Sequence, residues 1–310
     1  MLALASLVFA IVPMITYLWI VWLMDRYDRE PIGLLALNFF WGAIGAIFFA
    51  VVFSILTSAL LGTKEFLDAV FVAPVVEEPV KAVFLLWTVR DRRFDNITDG
   101  FVYGMAIGLG FGMTENFMYF LGAGTVGEWL LVVIIRTLFS AVMHAMATGT
   151  VGAFIGFTKF GSAASRWPLR GAGLAIAMTM HFVWNYSVSV NSAGMVGIGF
   201  LFILASVGVI VLVMQISLKH ESTLIRRELE AEAAEGVLPA THVPFLVSTA
   251  RRRMVGWLPP GVNQTRYVQI ATKLAFRRSQ AAQLADRHRA VYEAEIASLR
   301  EEISRMLATS

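Results

Sequence analysis

Cysteine is absent from all 310 residues. That excludes disulfides and thiolate metal sites, and it leaves His, Asp and Glu as the only strong metal-ligating side chains. Histidine is itself scarce, with five in the chain, and no His-Glu-x-x-His pair occurs. Any metal would therefore have to be assembled from residues far apart in sequence. Charge is the second shortage. Asp, Glu, Lys and Arg make up 15% of the chain against 57% hydrophobic residues, and the mean hydropathy is +0.69. Such a composition excludes an ordinary soluble domain and predicts an all-α polytopic membrane protein. The first apolar run, Met1 to Met24, has no Lys or Arg ahead of it and is long enough to span, so it reads as a retained helix and not a signal peptide.

Apolar runs at 2–24, 32–60, 69–89, 99–121, 130–157, 170–190 and 195–218 each reach the ~20 residues needed to cross a bilayer, which predicts a bundle of about seven transmembrane helices. The loops between them are asymmetric in charge. Loop one holds Arg26 and Arg29, loop three Arg90, Arg92 and Arg93, and loop five Lys159, Arg166 and Arg170, whereas the even loops offer only Lys64. The positive-inside rule then puts the N-terminus outside and the C-terminus in the cytoplasm of a plasma-membrane protein. Loop one, Asp25-Arg26-Tyr27-Asp28-Arg29-Glu30-Pro31, is dense in mixed charge and reads as a helix stop with interfacial ion pairs. Small residues recur through several spans, among them Gly42, Gly45, Gly104, Gly108, Gly149, Gly152 and Gly156; their spacing predicts close helix packing and no chemistry.

The domain boundary expected from composition separates a membrane core, 1–218, from a basic, mostly helical tail, 219–310. The tail carries fourteen Lys and Arg against ten Asp and Glu. Its excess suits the anionic lipids of the inner leaflet, with Arg251-Arg252-Arg253 as the expected contact. Nucleic acid is a poor partner, because acids dilute the charge and no recognised motif is present. Glu and Arg alternate over 221–235, Pro and Gly break the chain around 239–261, and one helix is predicted from 263 to 307, with Tyr292, Ile296, Leu299, Ile303 and Met306 on its apolar face.

The unusual stretch is Ala73-Pro74-Val75-Val76-Glu77-Glu78-Pro79-Val80-Lys81, set in a run otherwise apolar from Phe66 to Val89. A charge at the centre of a span costs on the order of 3 kcal/mol even on lenient scales, so three together call for a reason. Glu77 and Lys81 stand at i and i+4 in the favourable order for an ion pair, and Glu78 points about 100° away. Pro79 cannot bond to the carbonyl of Val75, nor Pro74 to that of Val70, so polar backbone is expected beside the acids. The other spans carry Glu115 and Asn116, Arg136, His144, His181 and Asn185. Buried ion pairing is the structural reading of Glu77 with Lys81, and hydrogen-bonded packing that of His144. Four helices each contributing an acid, amide or imidazole are nevertheless expensive unless the groups share one site.

Taken together, these runs resemble the PrsW family of intramembrane proteases, relatives of the CAAX prenyl proteases. Two glutamates with a lysine three residues on match Glu77, Glu78 and Lys81; Phe111 with Glu115 and Asn116, then His144, then His181 with Asn185 one turn later, match the remaining motifs in order. The resemblance covers about residues 1–215 and leaves the tail outside it. It implies peptide-bond hydrolysis in or near the membrane, with a single-pass membrane protein of the anti-sigma-factor kind as substrate. It also implies catalytic roles for Glu77, Glu78, Glu115, His144, His181 and Asn185.

Hydrolysis needs a positioned water, a base and donors for the oxyanion. A carboxylate desolvated among apolar helices holds a proton more readily than one in water, which makes Glu77 the expected base with Glu78 second. His181 and Asn185 suit the oxyanion, and His144 suits water or leaving group. A rival arrangement places zinc on His144, His181 and Glu78, with Glu77 as base; the metal-free, glutamate-dependent form is the reading preferred from sequence. A proton- or ion-coupled transporter would use the same acids, but no second copy of the Glu-Glu-Pro run marks an inverted repeat.

Overall fold

A long apolar segment in lipid can satisfy its backbone only through its own helical hydrogen bonds. The computed structural model, which describes residues 1–190, 192–284 and 286–308, accordingly has no strand among the described residues. Helix α1 is Leu2–Met24, α2 Ile32–Leu61, α3 Ala73–Thr88, α4 Ile97–Leu121, α5 Val126–Phe157, α6 Ala163–Ser189 and α7 Ala193–Ala234. Of these, α1, α2, α5 and α7 are long and apolar enough to cross a membrane. The other three expected spans also fall on helices, α3, α4 and α6, which are not among those four.

Three π turns interrupt this set, at Trp41–Ala46 within α2, at Asp68–Val72 ahead of α3, and at Arg136–Ser140 within α5. Each inserts one extra residue into the helical register, a feature frequent at functional sites. The last two lie directly before site-bearing helical segments.

Glycine sets the spacing between α4 and α5. A Cβ on Gly100 would stand 2.0 Å from the carbonyl oxygen of Gly152, one on Gly104 2.4 Å from that of Thr148, and one on Gly108 2.2 Å from that of His144. The steps of four run in opposite senses on the two helices, so this is an antiparallel seam with the backbones in contact. It ends at His144, which ties the packing to the site.

The chain divides into two compact units, Met1–Asp25 with Glu30–Val213, and Arg26–Arg29 with Met214–Ser310. Loop one is therefore split between them. Its flanks belong to the first unit, where Asp25 and Glu30 are buried and the Glu30 carboxylate accepts the Tyr103 hydroxyl. Burial and the neighbouring Asp25 and Asp95 hold the Glu30 carboxyl well above the usual range.

The second unit contains α8 Val243–Val247, α9 Gln264–Ala281 and α10 Asp286–Ala308. Its core gathers Ile225, Leu229, Leu246, Tyr267, Leu274 and Ile303, with Tyr27 of loop one packed against them. The single helix expected over 263–307 is instead two. Folding back lets Leu299 and Ile303 bury in the same core as Ile270 and Leu274, which one straight helix could not do. Arg289 donates to the carbonyl of Ala281 at the end of α9, and Arg266–Glu302 and Arg277–Glu295 link the two helices. Glu232, fully buried, is matched by Arg278 at 2.5 Å and Arg300 at 2.6 Å.

Candidate active site

Lys81 lies at the centre of the polar cluster. Its side chain is fully buried, and its Nζ stands 2.8 Å from Glu78 Oε1, 3.2 Å from Glu77 Oε2 and 3.0 Å from His144 Nδ1. The Phe111 ring lies 3.8 Å away, giving the ammonium a cation–π contact on its apolar side. The local pair expected from i,i+4 spacing is thus a three-way junction. One turn of α3 supplies both carboxylates and the cation, and α5 supplies the imidazole.

The second imidazole comes from α6. His181 Nδ1 is 2.9 Å from Glu78 Oε1, its Nε2 is 3.9 Å from Glu77 Oε2, and the two histidine rings meet edge to face at 4.9 Å. Glu77, Glu78, His144 and His181 each bring one donor atom to a point where all four atoms lie within 4.8 Å of one another. Helix α4 adds Glu115, whose Oε2 is 2.7 Å from His144 Nε2 and 2.7 Å from Arg136 Nη2. Arg136 in turn donates to the Asn116 Oδ1 at 3.0 Å and lies over the Tyr119 ring at 3.6 Å. Glu115 therefore holds His144 without entering the four-residue cluster.

Hydrogen-bond partners assign the tautomers. An ammonium only donates, so His144 Nδ1 accepts from Lys81 and its Nε2–H goes to Glu115; His181 gives its Nδ1–H to Glu78. Each imidazole thus has its N–H fixed by a carboxylate and its other nitrogen turned inward as a lone pair. That is how metal-ligating histidines are oriented. Two imidazole nitrogens with two carboxylates are also a donor set that suits zinc. The residues fit a divalent metal, with the Lys81 ammonium using one of the same lone pairs.

Glu77 and Glu78 differ in access. Glu78 is wholly buried and fully engaged by Lys81, His181 and the Thr148 hydroxyl at 3.4 Å. Glu77 keeps 12% of its side chain exposed, the largest share in the cluster. Thr148 went unremarked in the sequence, although it follows His144 by one turn on the same face.

Asn185 is elsewhere. Its Nδ2 donates to the carbonyl of Ala69 at 2.8 Å. The reason is the π turn before α3: there the Ala73 N–H closes on Asp68, five residues back, and the next donor in that register would be Pro74, which has no N–H. Asn185 supplies the missing bond. The hydrogen bond the structure gives Asn185 is thus to backbone, and the carbonyl Pro74 leaves open is that of Ala69, not Val70 as a regular helix predicts.

Residues 30–216 match the model of the PrsW family intramembrane metalloproteases. The chain belongs to this family. It is 26% identical over 185 residues to the protease PrsW of Bacillus subtilis, an alignment covering 59% of this chain and 82% of that one. Against the protease PrsW of Clostridioides difficile it is 29% identical, with 59% and 78% covered, and against that of Geobacillus kaustophilus 28%, with 57% and 76% covered. No solved structure matches the chain. A PrsW-family chain with this cluster is an intramembrane peptidase, and every residue of the cluster lies within the matched segment. The tail after 216 lies outside it.

Proposed function

We propose that the protein cleaves a peptide bond of a single-pass membrane protein, of the anti-sigma-factor kind, using a water activated by Glu77. The observation that carries this reading is the convergence of Glu77, Glu78, His144 and His181 around Lys81, with Glu77 the most accessible of the four. Glu77 takes the proton of the attacking water; Lys81, 3.2 Å away, stabilises its ionised form and remains a cation beside the developing oxyanion. Glu78 and Glu115 hold His181 and His144 in the tautomers that turn lone pairs toward the reacting centre. A divalent metal, zinc by donor chemistry, would be held by His144, His181 and Glu78 and would supply Lewis acidity there. Glu77 is the base with or without it.

Glu77→Gln keeps the shape and much of the hydrogen bonding while removing the base. Cleavage of a membrane substrate should fall by about 10²–10⁴ with insertion intact; folded variant cutting at the parent rate sinks the assignment. Removal by a strong chelator and recovery with zinc would establish the metal-dependent form, and indifference to both the glutamate-only form. Residence in the plasma membrane with the N-terminus outside is part of the same proposal and rests on the Lys and Arg excess of the odd loops. A reporter after Ser310 should read cytoplasmic and one before Met1 external.

A further inference from the structure

Beyond α7, the large apolar side chains that the second unit exposes among the described residues are Met254, Val255 and Val291. Val255 is 93% exposed and Met254 beside it 55%. A protein surface tolerates single apolar side chains, but an adjacent pair directly after Arg251-Arg252-Arg253 has the composition of an interfacial membrane anchor. The chain on either side carries charge of one sign. No Asp or Glu occurs between Glu235 and Asp286, and Arg251 and Arg253 are exposed and form no ion pair among the described residues.

Much of the backbone here is already paired within the protein. Arg251–Arg253 form one 3₁₀ turn, the Met254 N–H donates to the Arg251 carbonyl at 2.9 Å, and the Gln264 side chain donates to the carbonyls of Arg252 at 2.6 Å and Met254 at 3.0 Å. Peptide groups so satisfied lose less on leaving water. Gly256 follows at φ +88°, a left-handed conformation that glycine enters at little cost, so the apolar pair stands at a bend.

Loop one fixes where this bend can be. Its residues 26–29 belong to the second unit although they connect α1 to α2, two helices long and apolar enough to cross the bilayer. Tyr27 is three residues past the end of α1, so it stands within about 11 Å of that end even if the chain is fully extended. The segment carrying the pair is attached to it. The Tyr27 hydroxyl donates to the Val247 carbonyl at 2.9 Å, and the Arg252 guanidinium lies over the Tyr27 ring at 4.7 Å. Val255 is three residues beyond Arg252 and so stays within reach of the headgroups.

We propose that Met254 and Val255 insert into the interface of the bilayer the helices cross, with Arg251 and Arg253 on the headgroups of its anionic lipids. The arginines supply attraction that reaches about a Debye length, and the apolar pair supplies depth, which charge alone does not give. The C-terminal unit is thereby anchored at a second point besides its chain connections, and lipid charge controls that anchor.

The absence of cysteine makes the test clean, since Val255→Cys gives the full-length chain a single site for a nitroxide label. The labelled protein is placed in nanodiscs of phosphatidylcholine mixed with phosphatidylglycerol, and the label's collisions with oxygen and with a water-soluble nickel chelate are measured by electron paramagnetic resonance. A label at Glu301→Cys, whose native side chain is 72% exposed on α10, is the water-facing reference. The expected result is a Val255 label open to oxygen and shielded from nickel, and a shift to the nickel accessibility of the reference when Arg251→Gln and Arg253→Gln are added or phosphatidylglycerol is left out. A Val255 label as open to nickel as the reference overturns the proposal. So does one shielded from both reagents, which marks a protein contact such as a second copy of the chain, and so does immersion unchanged by the arginine substitutions and by the loss of anionic lipid. Should the double arginine variant fail to fold, a sodium chloride series on the Val255→Cys protein decides: immersion weakened by salt supports the anchor, and immersion indifferent to it overturns the role of the arginines.

Discussion

Gly108→Ala tests whether the seam between α4 and α5 sets the position of His144. The added methyl would stand 2.2 Å from the His144 carbonyl oxygen and 2.7 Å from the Ala145 Cα, where ordinary contact begins at 3.4 Å. Both neighbours are backbone, so no side chain can rotate away; the helices must part by about 1 Å. Overpacking of this kind costs about 1–3 kcal/mol, and a displacement of about 1 Å at a reacting centre costs on the order of 10²-fold in rate. His144 would be drawn from Lys81 and Glu115, 3.0 Å and 2.7 Å away. The assay compares cleavage of a reconstituted membrane substrate with thermal midpoints in the same detergent. Gly208→Ala is the control, since nothing lies within 4 Å of its Cβ position and alanine is the better helix former. A Gly108→Ala protein with parent activity and midpoint would refute the argument that the seam positions the histidine.

Three other outcomes follow from the same geometry. Lys81→Met strands two buried carboxylates and should destabilise the protein by about 3–5 kcal/mol as well as abolish cleavage, measured by thermal unfolding and substrate turnover. Asn185→Leu leaves the Ala69 carbonyl without its donor, so a stability loss of about 1–3 kcal/mol is expected, with a rate effect well below that of Glu77→Gln; equal rate losses would return Asn185 to the chemistry. In the C-terminal unit, His242 is buried beside Trp257 and its Nδ1 is 2.9 Å from the Tyr267 hydroxyl; burial pushes its imidazole below the ordinary value of 6.5. A histidine depressed on folding contributes stability that is present above the unfolded value and lost as pH falls below it. Thermal midpoints should therefore decline below about pH 6.5, and less steeply in His242→Phe.

Hydropathy alone determined the class of this protein, because the cost of burying backbone in lipid admits few structures other than helices. Each apolar run accordingly lies on a helix. The chemical inventory was equally legible: an acid pair, two histidines and a lysine are too costly inside a bilayer to be incidental, and their order along the chain is enough to carry the family resemblance. Spacing along one helix also indicated that Glu77 meets Lys81, since three- and four-residue steps share a face whatever surrounds them. What one helix touches on another was not legible. Periodicity assigns a residue to a face and says nothing of which helix lies opposite, so the contacts of Lys81 with His144, of Glu78 with His181 and of Glu115 with both Arg136 and His144 came only from tertiary packing. The same limit hid the role of Asn185, which depends on a one-residue shift of helical register at 68–72 that no local propensity signals. It also hid the placing of Arg26–Arg29 with the C-terminal unit, because charge along a short loop fixes its preference for water but not the surface on which it comes to rest.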